Sequence, residues 1–197
     1  MKRVHELNFG CFNTRRNLPG DTGRKRGESN FLGAFTRQLL NVQTTPCVFG
    51  RNFSMPDCGV ADLVLFMCNG TDDSCLAKPD MISIVAYEAK LTNWRRALQQ
   101  AYRYRYYADQ VFVVLPQERH APALMNRKCF QQFGIGLCAY DASDKSIAVL
   151  CNPNFKGALN PKKREKALHR FATRVRNLRE TREHFEPFLQ RRQMIGV

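Results

Sequence analysis

The sequence predicts an α/β fold, a mixed central β-sheet flanked by helices with a long basic helix at the C-terminal end. Three observations carry that expectation. The candidate elements follow one another as helix, strands, helix, strand, helix, strands. One strand, "VFVVLP", is apolar without alternation, as a strand covered on both faces must be. The composition, 44% hydrophobic and 11% aromatic, is that of a chain able to bury a core. At 197 residues one domain suffices. It divides into a basic arm over 1–27, a core over 28–155 and a basic amphipathic helical extension over 156–197.

Taken in order, residues 1–27 mix Gly, Pro, Asn and Arg without periodicity and read as a loop or arm that orders on a ligand. From Glu28, the apolar residues Phe31, Leu32, Phe35 and Leu39 recur at helical spacing, and Glu28 shares their stripe. "PCVFGRNF" and "GVADLVLFMC" read as two strands, joined through the polar "NGTDDSCLAKPD" to a third, "MISIVAYEAKL". A helix over 93–109 leads into "VFVVLP". Next come a helix over "APALMNRKCFQQFG" closed by Gly134, and a hairpin of "GIGLCAYD" with "SIAVLC". Asn160 as N-cap and Pro161 at the first helical position open the last helix. Its stripe is Leu168, Phe171, Val175, Leu178 and Phe185, and it breaks near Pro187.

Lys and Arg number 31 against 17 acids, a net charge of +14 that favours a polyanionic partner through phosphate contacts and counterion release. Half of that excess, 11 basic residues against 4 acids, lies in 160–197. The eight cysteines contain no Cys-x-x-Cys pair and no matching His spacing, which argues against zinc and iron–sulfur sites. The first residues hold no apolar stretch of signal-peptide length, and no apolar run approaches a membrane span. The expectation is a cytoplasmic protein with reduced thiols and no membrane partner.

Chemistry concentrates at two strand ends. Glu88 and Lys90 form the one acid-x-Lys match in the chain, at the close of an apolar strand whose alternation puts both on the same side. Asp62 opens the preceding apolar strand just after Gly59, so neighbouring strands would present Asp62 and Glu88 together. Paired carboxylates repel unless a cation neutralises them, and hard oxygen ligands suit Mg²⁺ or Mn²⁺. Asp57, before the glycine, is a competing carboxylate that the same reading places in the turn. Glu28 is positioned to approach from the first helix, as a third ligand, an orienter of water, or an acid satisfying the helix dipole.

In the helix that follows, Trp94, Ala97, Leu98, Ala101, Tyr104 and Ala108 form one face. Arg96, Gln100, Arg103 and Tyr107 gather beside it. Arg96, Arg103, Tyr104 and Tyr107 here, with Lys162, Lys163, Arg164, Arg170 and Arg174 on the terminal helix, make the candidate nucleic-acid contacts. The terminal stripe is also a candidate homodimer interface.

Asp62 after Gly59, Glu88-Ala89-Lys90 ending a strand, a helix, and then "VFVVLP" resemble the PD-(D/E)xK nuclease superfamily, the restriction-endonuclease-like fold, over roughly residues 28–150. Gln100 and Tyr104 reproduce the Gln-x-x-x-Tyr pattern of its RecB-like branch, and Gly59 to Asp62 its Gly-x-x-Asp motif. The cluster-binding cysteines of some members of that branch are not matched. The resemblance implies phosphodiester hydrolysis, most simply of DNA, in restriction, repair, recombination or a mobile element. It implies Mg²⁺ (or Mn²⁺) on Asp62, Glu88 and the Ala89 carbonyl, Lys90 orienting the attacking water, and Gln100 steadying Lys90 or that water. The alternative is a catalytically inactive nucleic-acid-binding protein of the same fold, on DNA or RNA.

Overall fold

The structure is a computed structural model that describes residues 4–8, 22–45, 47–68, 81–154 and 157–176. Its centre is a mixed seven-stranded sheet in the order β1-β2-β3-β4-β5-β6-β7. The strands are β1 (Val4–Asn8), β2 (Cys47–Met55), β3 (Gly59–Cys68), β4 (Ile82–Ala89), β5 (Gln110–Pro116), β6 (Gly136–Asp141) and β7 (Ser146–Cys151). β2, β3 and β4 form an antiparallel meander, β4, β5 and β6 run parallel, β6 and β7 close a hairpin, and β1 adds in parallel to β2.

Helices cover both faces, which explains the unbroken apolar reading of β5. On one face, α1 (Thr22–Val42) lays Phe35, with Phe31, Leu32 and Leu39, on Leu63, Leu65, Val85, Tyr87 and Val114. On the other, α2 (Trp94–Tyr104) and α5 (Pro161–Arg176) pack on Val64, Phe66, Ile84, Ala86 and Val113. The short α3 (Ala121–Met125) and α4 (Arg127–Phe133) flank that second core through Ala123 and Phe130. No helix among the described residues is long and apolar enough to cross a membrane.

The α/β class stands, with four changes to the element plan. The expected N-terminal arm contains β1, whose five residues pair with Cys47 to Arg51, and α1 begins at Thr22 rather than Glu28. One short parallel edge strand has too little alternation to be read locally. The helix expected over 121–134 is interrupted at Asn126, whose backbone is non-helical. Gly134 then closes α4 in the left-handed conformation. α2 stops at Tyr104, and residues 105–107 form a turn. α5 is no appendage over its described length: Ala167, Leu168, Phe171 and Ala172 are buried, and the Phe171 ring stacks on Phe66 with centroids 4.1 Å apart. Val175, Leu178 and Phe185 of its expected stripe fall outside the described side chains.

A polar latch fixes α5 to the root of β4. The Arg164 guanidinium pairs with Asp109 (Nε to Oδ1, 2.8 Å) and donates to the Ile82 carbonyl at 2.6 Å. Asp109 Oδ2 accepts from the Ile84 amide at 2.8 Å. One carboxylate thus satisfies a backbone amide of β4, beyond the start of its pairing with β5, and a guanidinium at once. Truncating it strands both, so Asp109→Ala should lower the unfolding free energy by about 2 kcal/mol or more in urea titrations. An exposed substitution such as Asp144→Ala, used as a control, should change little.

Candidate active site

Where β3 leaves β4, the antiparallel ladder ends at Leu63↔Tyr87. On its other side β4 stays paired with β5 through Glu88↔Val113 and Ala89↔Val114, and the Lys90 amide donates to the Val114 carbonyl at 3.1 Å. The end of β4 is therefore held from one side and open on the other. The Ala89 amide, left without a strand partner on the β3 side, donates to Asp62 Oδ2 at 2.9 Å. Asp62 thus takes the place of a missing ladder carbonyl, and its position follows from the splay of the two strands.

The splay has a sequence origin in the failure of the period of two. Leu63 and Leu65 pack under α1, whereas Ala61 joins Val64 and Phe66 in the opposite core, so the alternation breaks at Asp62. Across the ladder, Asn52 of β2 has a left-handed backbone (φ 54°), a conformation that asparagine tolerates better than most residues.

Glu88 is completely buried and belongs to the α2 side of the sheet. Its Oε1 lies 2.8 Å from the Lys90 ammonium; the contact is an ion pair, and Oε1 accepts no well-aligned hydrogen bond. Its Oε2 lies 2.7 Å from the Tyr104 hydroxyl, which also lies 2.6 Å from the Val60 carbonyl. The phenol has one proton for two acceptors. The competition is relieved when Glu88 is itself protonated and donates to Tyr104, which then donates to Val60. In agreement, burial and then the neighbouring Asp62 push the Glu88 carboxyl up to about 7, against the opposing pull of Lys90 and Tyr104.

Asp62 keeps 27% of its side chain open to solvent, yet the surrounding protein still raises its carboxyl above the ordinary range, the pull of Lys90 and the Ala89 amide notwithstanding. Burial alone would lower Lys90; Glu88, Asp62 and Glu28 outweigh it and hold the ammonium charged.

Four oxygens converge on that ammonium: Glu88 Oε1 at 2.8 Å, the Ala89 carbonyl at 3.2 Å, Glu28 Oε2 at 3.8 Å and Asp62 Oδ2 at 4.0 Å. Glu28 thus arrives from α1, on the far side of the sheet from Tyr104. Three carboxyl groups face one ammonium, an excess of negative charge inside a basic protein. These are hard oxygen donors, the kind that Mg²⁺ or Mn²⁺ takes as ligands. The donor set includes a backbone carbonyl. Among the described residues no group of three or more His, Cys, Asp or Glu side chains is arranged to hold a metal by itself.

Gln100 lies one turn before Tyr104 on α2 with its Oε1 buried and without a donor, and it makes no hydrogen bond to Lys90. Asp57 lies in the β2–β3 turn, largely exposed, with a left-handed backbone. Of the candidate nucleic-acid contacts, Arg96, Arg103, Lys162 and Arg170 are exposed. Tyr107 is not: the helix ends before it, the helical projection that placed it beside Arg103 no longer applies, and its ring is fully buried against Phe53. Tyr104 is likewise buried and holds Glu88 rather than facing a partner. Arg164 is committed to the latch. Lys163 approaches Asp57 (3.9 Å), Cys58 Sγ (3.6 Å) and the Tyr106 ring. The Arg174 side chain lies outside the described residues.

The Tyr104–Glu88 bond went unforeseen. The available signal was a tyrosine on the apolar face of a helix, whose buried hydroxyl must find a partner.

No protein-family model and no curated protein matches the chain. Among solved structures, the chain is similar to the SPO1766 protein of unknown function from Silicibacter pomeroyi. The identity is 18% and the TM-score 0.49, over 74% of this chain and 84% of that one.

Because Glu88 holds its proton more tightly folded than unfolded, the native chain carries that extra proton between about pH 4.5 and 7, and stability falls as pH rises through that window; the raised Asp62 carboxyl acts in the same direction. In chelator, the melting temperature of the wild type should drop from pH 5 to about 7.5, and Glu88→Gln should remove most of that slope.

Proposed function

We propose that this protein is a divalent-metal-dependent nuclease of the restriction-endonuclease-like fold that hydrolyses phosphodiester bonds, with DNA as its substrate. One observation carries the reading: Asp62, Glu88 and the Ala89 carbonyl, at the splayed end of β3 and β4, all turn their oxygens to the Lys90 ammonium. The likeness of Gly59–Asp62, Glu88–Lys90 and Gln100–Tyr104 to the motifs of that superfamily supports it.

Asp62, Glu88 and the Ala89 carbonyl would hold Mg²⁺ or Mn²⁺, which when bound polarises a phosphate and acidifies water. The chain's own groups account for the remainder. Tyr104 fixes one Glu88 oxygen, so the other keeps its aim. Lys90, held charged by its neighbours, offsets the negative charge that grows on the phosphate oxygens as water attacks phosphorus and the bond to the departing 3′ oxygen breaks, leaving a 5′-phosphate and a 3′-hydroxyl. Glu28, part-exposed at the mouth, is placed to accept a hydrogen bond from the attacking water. The uncommitted amide oxygen of Gln100 is the second group available, on the α2 side. Arg96 and Arg103, exposed on α2, are placed to contact the flanking phosphates.

Incubation of linear, circular, single-stranded and junction DNA with Mg²⁺ or Mn²⁺ tests the reading. Cleavage by the wild type should fall at least about 100-fold in Asp62→Ala and Lys90→Ala, while DNA binding in chelator persists and weakens steeply with salt. Tight, salt-sensitive binding with no cleavage of any substrate would instead assign the protein to the non-catalytic reading.

Metal occupancy has its own readout. Mg²⁺ or Mn²⁺ should raise the melting temperature of the wild type but not of Asp62→Ala. The increment should grow from pH 6 to about pH 8 as the carboxyls shed the protons with which the ion competes.

A further inference from the structure

α2 has a second side that the candidate chemistry does not use. Gln100 and Tyr104 flank its buried stripe toward the carboxylates, Gln99 and Tyr102 flank it on the opposite side, and Arg96 and Arg103 stand between them on the outward surface. On that opposite side a groove of about 410 Å³ runs between α2 and α4. Trp94, Leu98, Gln99 and Tyr102 form one wall, and Cys129 and Phe133 the other. The volume lies in the range of pockets that enclose small organic groups, about 300–1,000 Å³.

Two of its aromatic groups are open to solvent, and Trp94 lies buried at its base. Tyr102 and Phe133 are 37% and 40% exposed and meet edge to face, with centroids 5.3 Å apart, and the Arg95 guanidinium lies 4.5 Å over the Trp94 ring. Such a surface suits a flat group that is apolar on its faces and polar at its edge, with the Gln99 amide at hand for that edge. Charge selects among flat groups. Arg95 lines the groove, Arg96 and Arg103 lie on the adjoining outward surface of α2, and α2, α3 and α4 contain no Asp or Glu. An apolar peptide has no use for these α2 guanidinium groups, whereas a polyanion bearing aromatic bases uses both features.

We propose that this groove binds unpaired bases of a single-stranded nucleic-acid segment whose backbone crosses Arg96 and Arg103 from the carboxylate site. The inference rests on the nuclease reading and narrows its substrate to DNA with a single-stranded portion.

Trp94 is the one tryptophan of the chain and lines the groove, so its emission responds to a ligand seated there. In chelator, where no cleavage occurs, a single-stranded oligodeoxynucleotide should quench Trp94. An abasic oligomer of equal length and charge should bind more weakly and leave the emission unchanged. Tyr102→Ala and Phe133→Ala should each weaken single-strand binding roughly tenfold while leaving the affinity for blunt duplex as it is, and Tyr102→Phe should restore binding.

Equal binding of the abasic oligomer, unchanged Trp94 emission, or equal losses on duplex and single strand would overturn the groove assignment and leave the nuclease reading standing. Absence of binding to any nucleic acid would overturn both. Quenching that grows with protein concentration alone would overturn the assignment in favour of a second copy of the chain.

Discussion

Everything at the candidate site depends on a carboxyl group, Glu88, held inside the protein with no solvent contact. Burying an ionised carboxylate is costly unless it is paired and hydrogen-bonded, and here both compensations are incomplete. Lys90 supplies one charge at 2.8 Å, and Tyr104 supplies a hydroxyl whose single proton is also claimed by Val60. The group therefore holds its proton up to about pH 7.

The sheet makes that arrangement possible. β4 is paired with β5 from Val85 to Ala89, so its last residues cannot yield, while the β3 ladder ends two residues earlier, at Tyr87, and leaves an amide to be satisfied. The Asp62 carboxylate that satisfies it comes to rest at the mouth of the cleft. α1 and α2 then deliver Glu28 and Tyr104 from opposite layers. At the other end of β4, the Asp109–Arg164 latch ties α5 to the strand, so both ends of β4 are fixed by polar contacts that ordinary hydrophobic packing would leave free to slide.

Local patterns made much of this legible. The apolar runs of β2 to β5, the alternating helix stripes and the Asn160 cap mark elements whose side-chain period is a property of the chain itself. Asp62, Glu88 and Lys90 stood out because charged residues at the ends of apolar strands need partners. Tyr107 was misjudged because a helical wheel extends a helix beyond the residue at which the backbone turns. Lys163 and Arg164 look identical to their neighbours in sequence, yet one reaches across to the β2–β3 turn and the other locks onto Asp109. β1 offered too few residues for a periodic signal.

The order of the elements, the amphipathic faces, the basic balance and the identity of the acids and lysine at the strand ends are set by residues close together in the chain, and the sequence alone determined them. Which of those charges meet, how deeply Glu88 is buried, what Tyr104 holds, and the aromatic groove on the far flank of α2 depend on contacts between residues tens of positions apart. Such contacts exist only once strands splay, helices end and layers close, so the tertiary structure alone decided them.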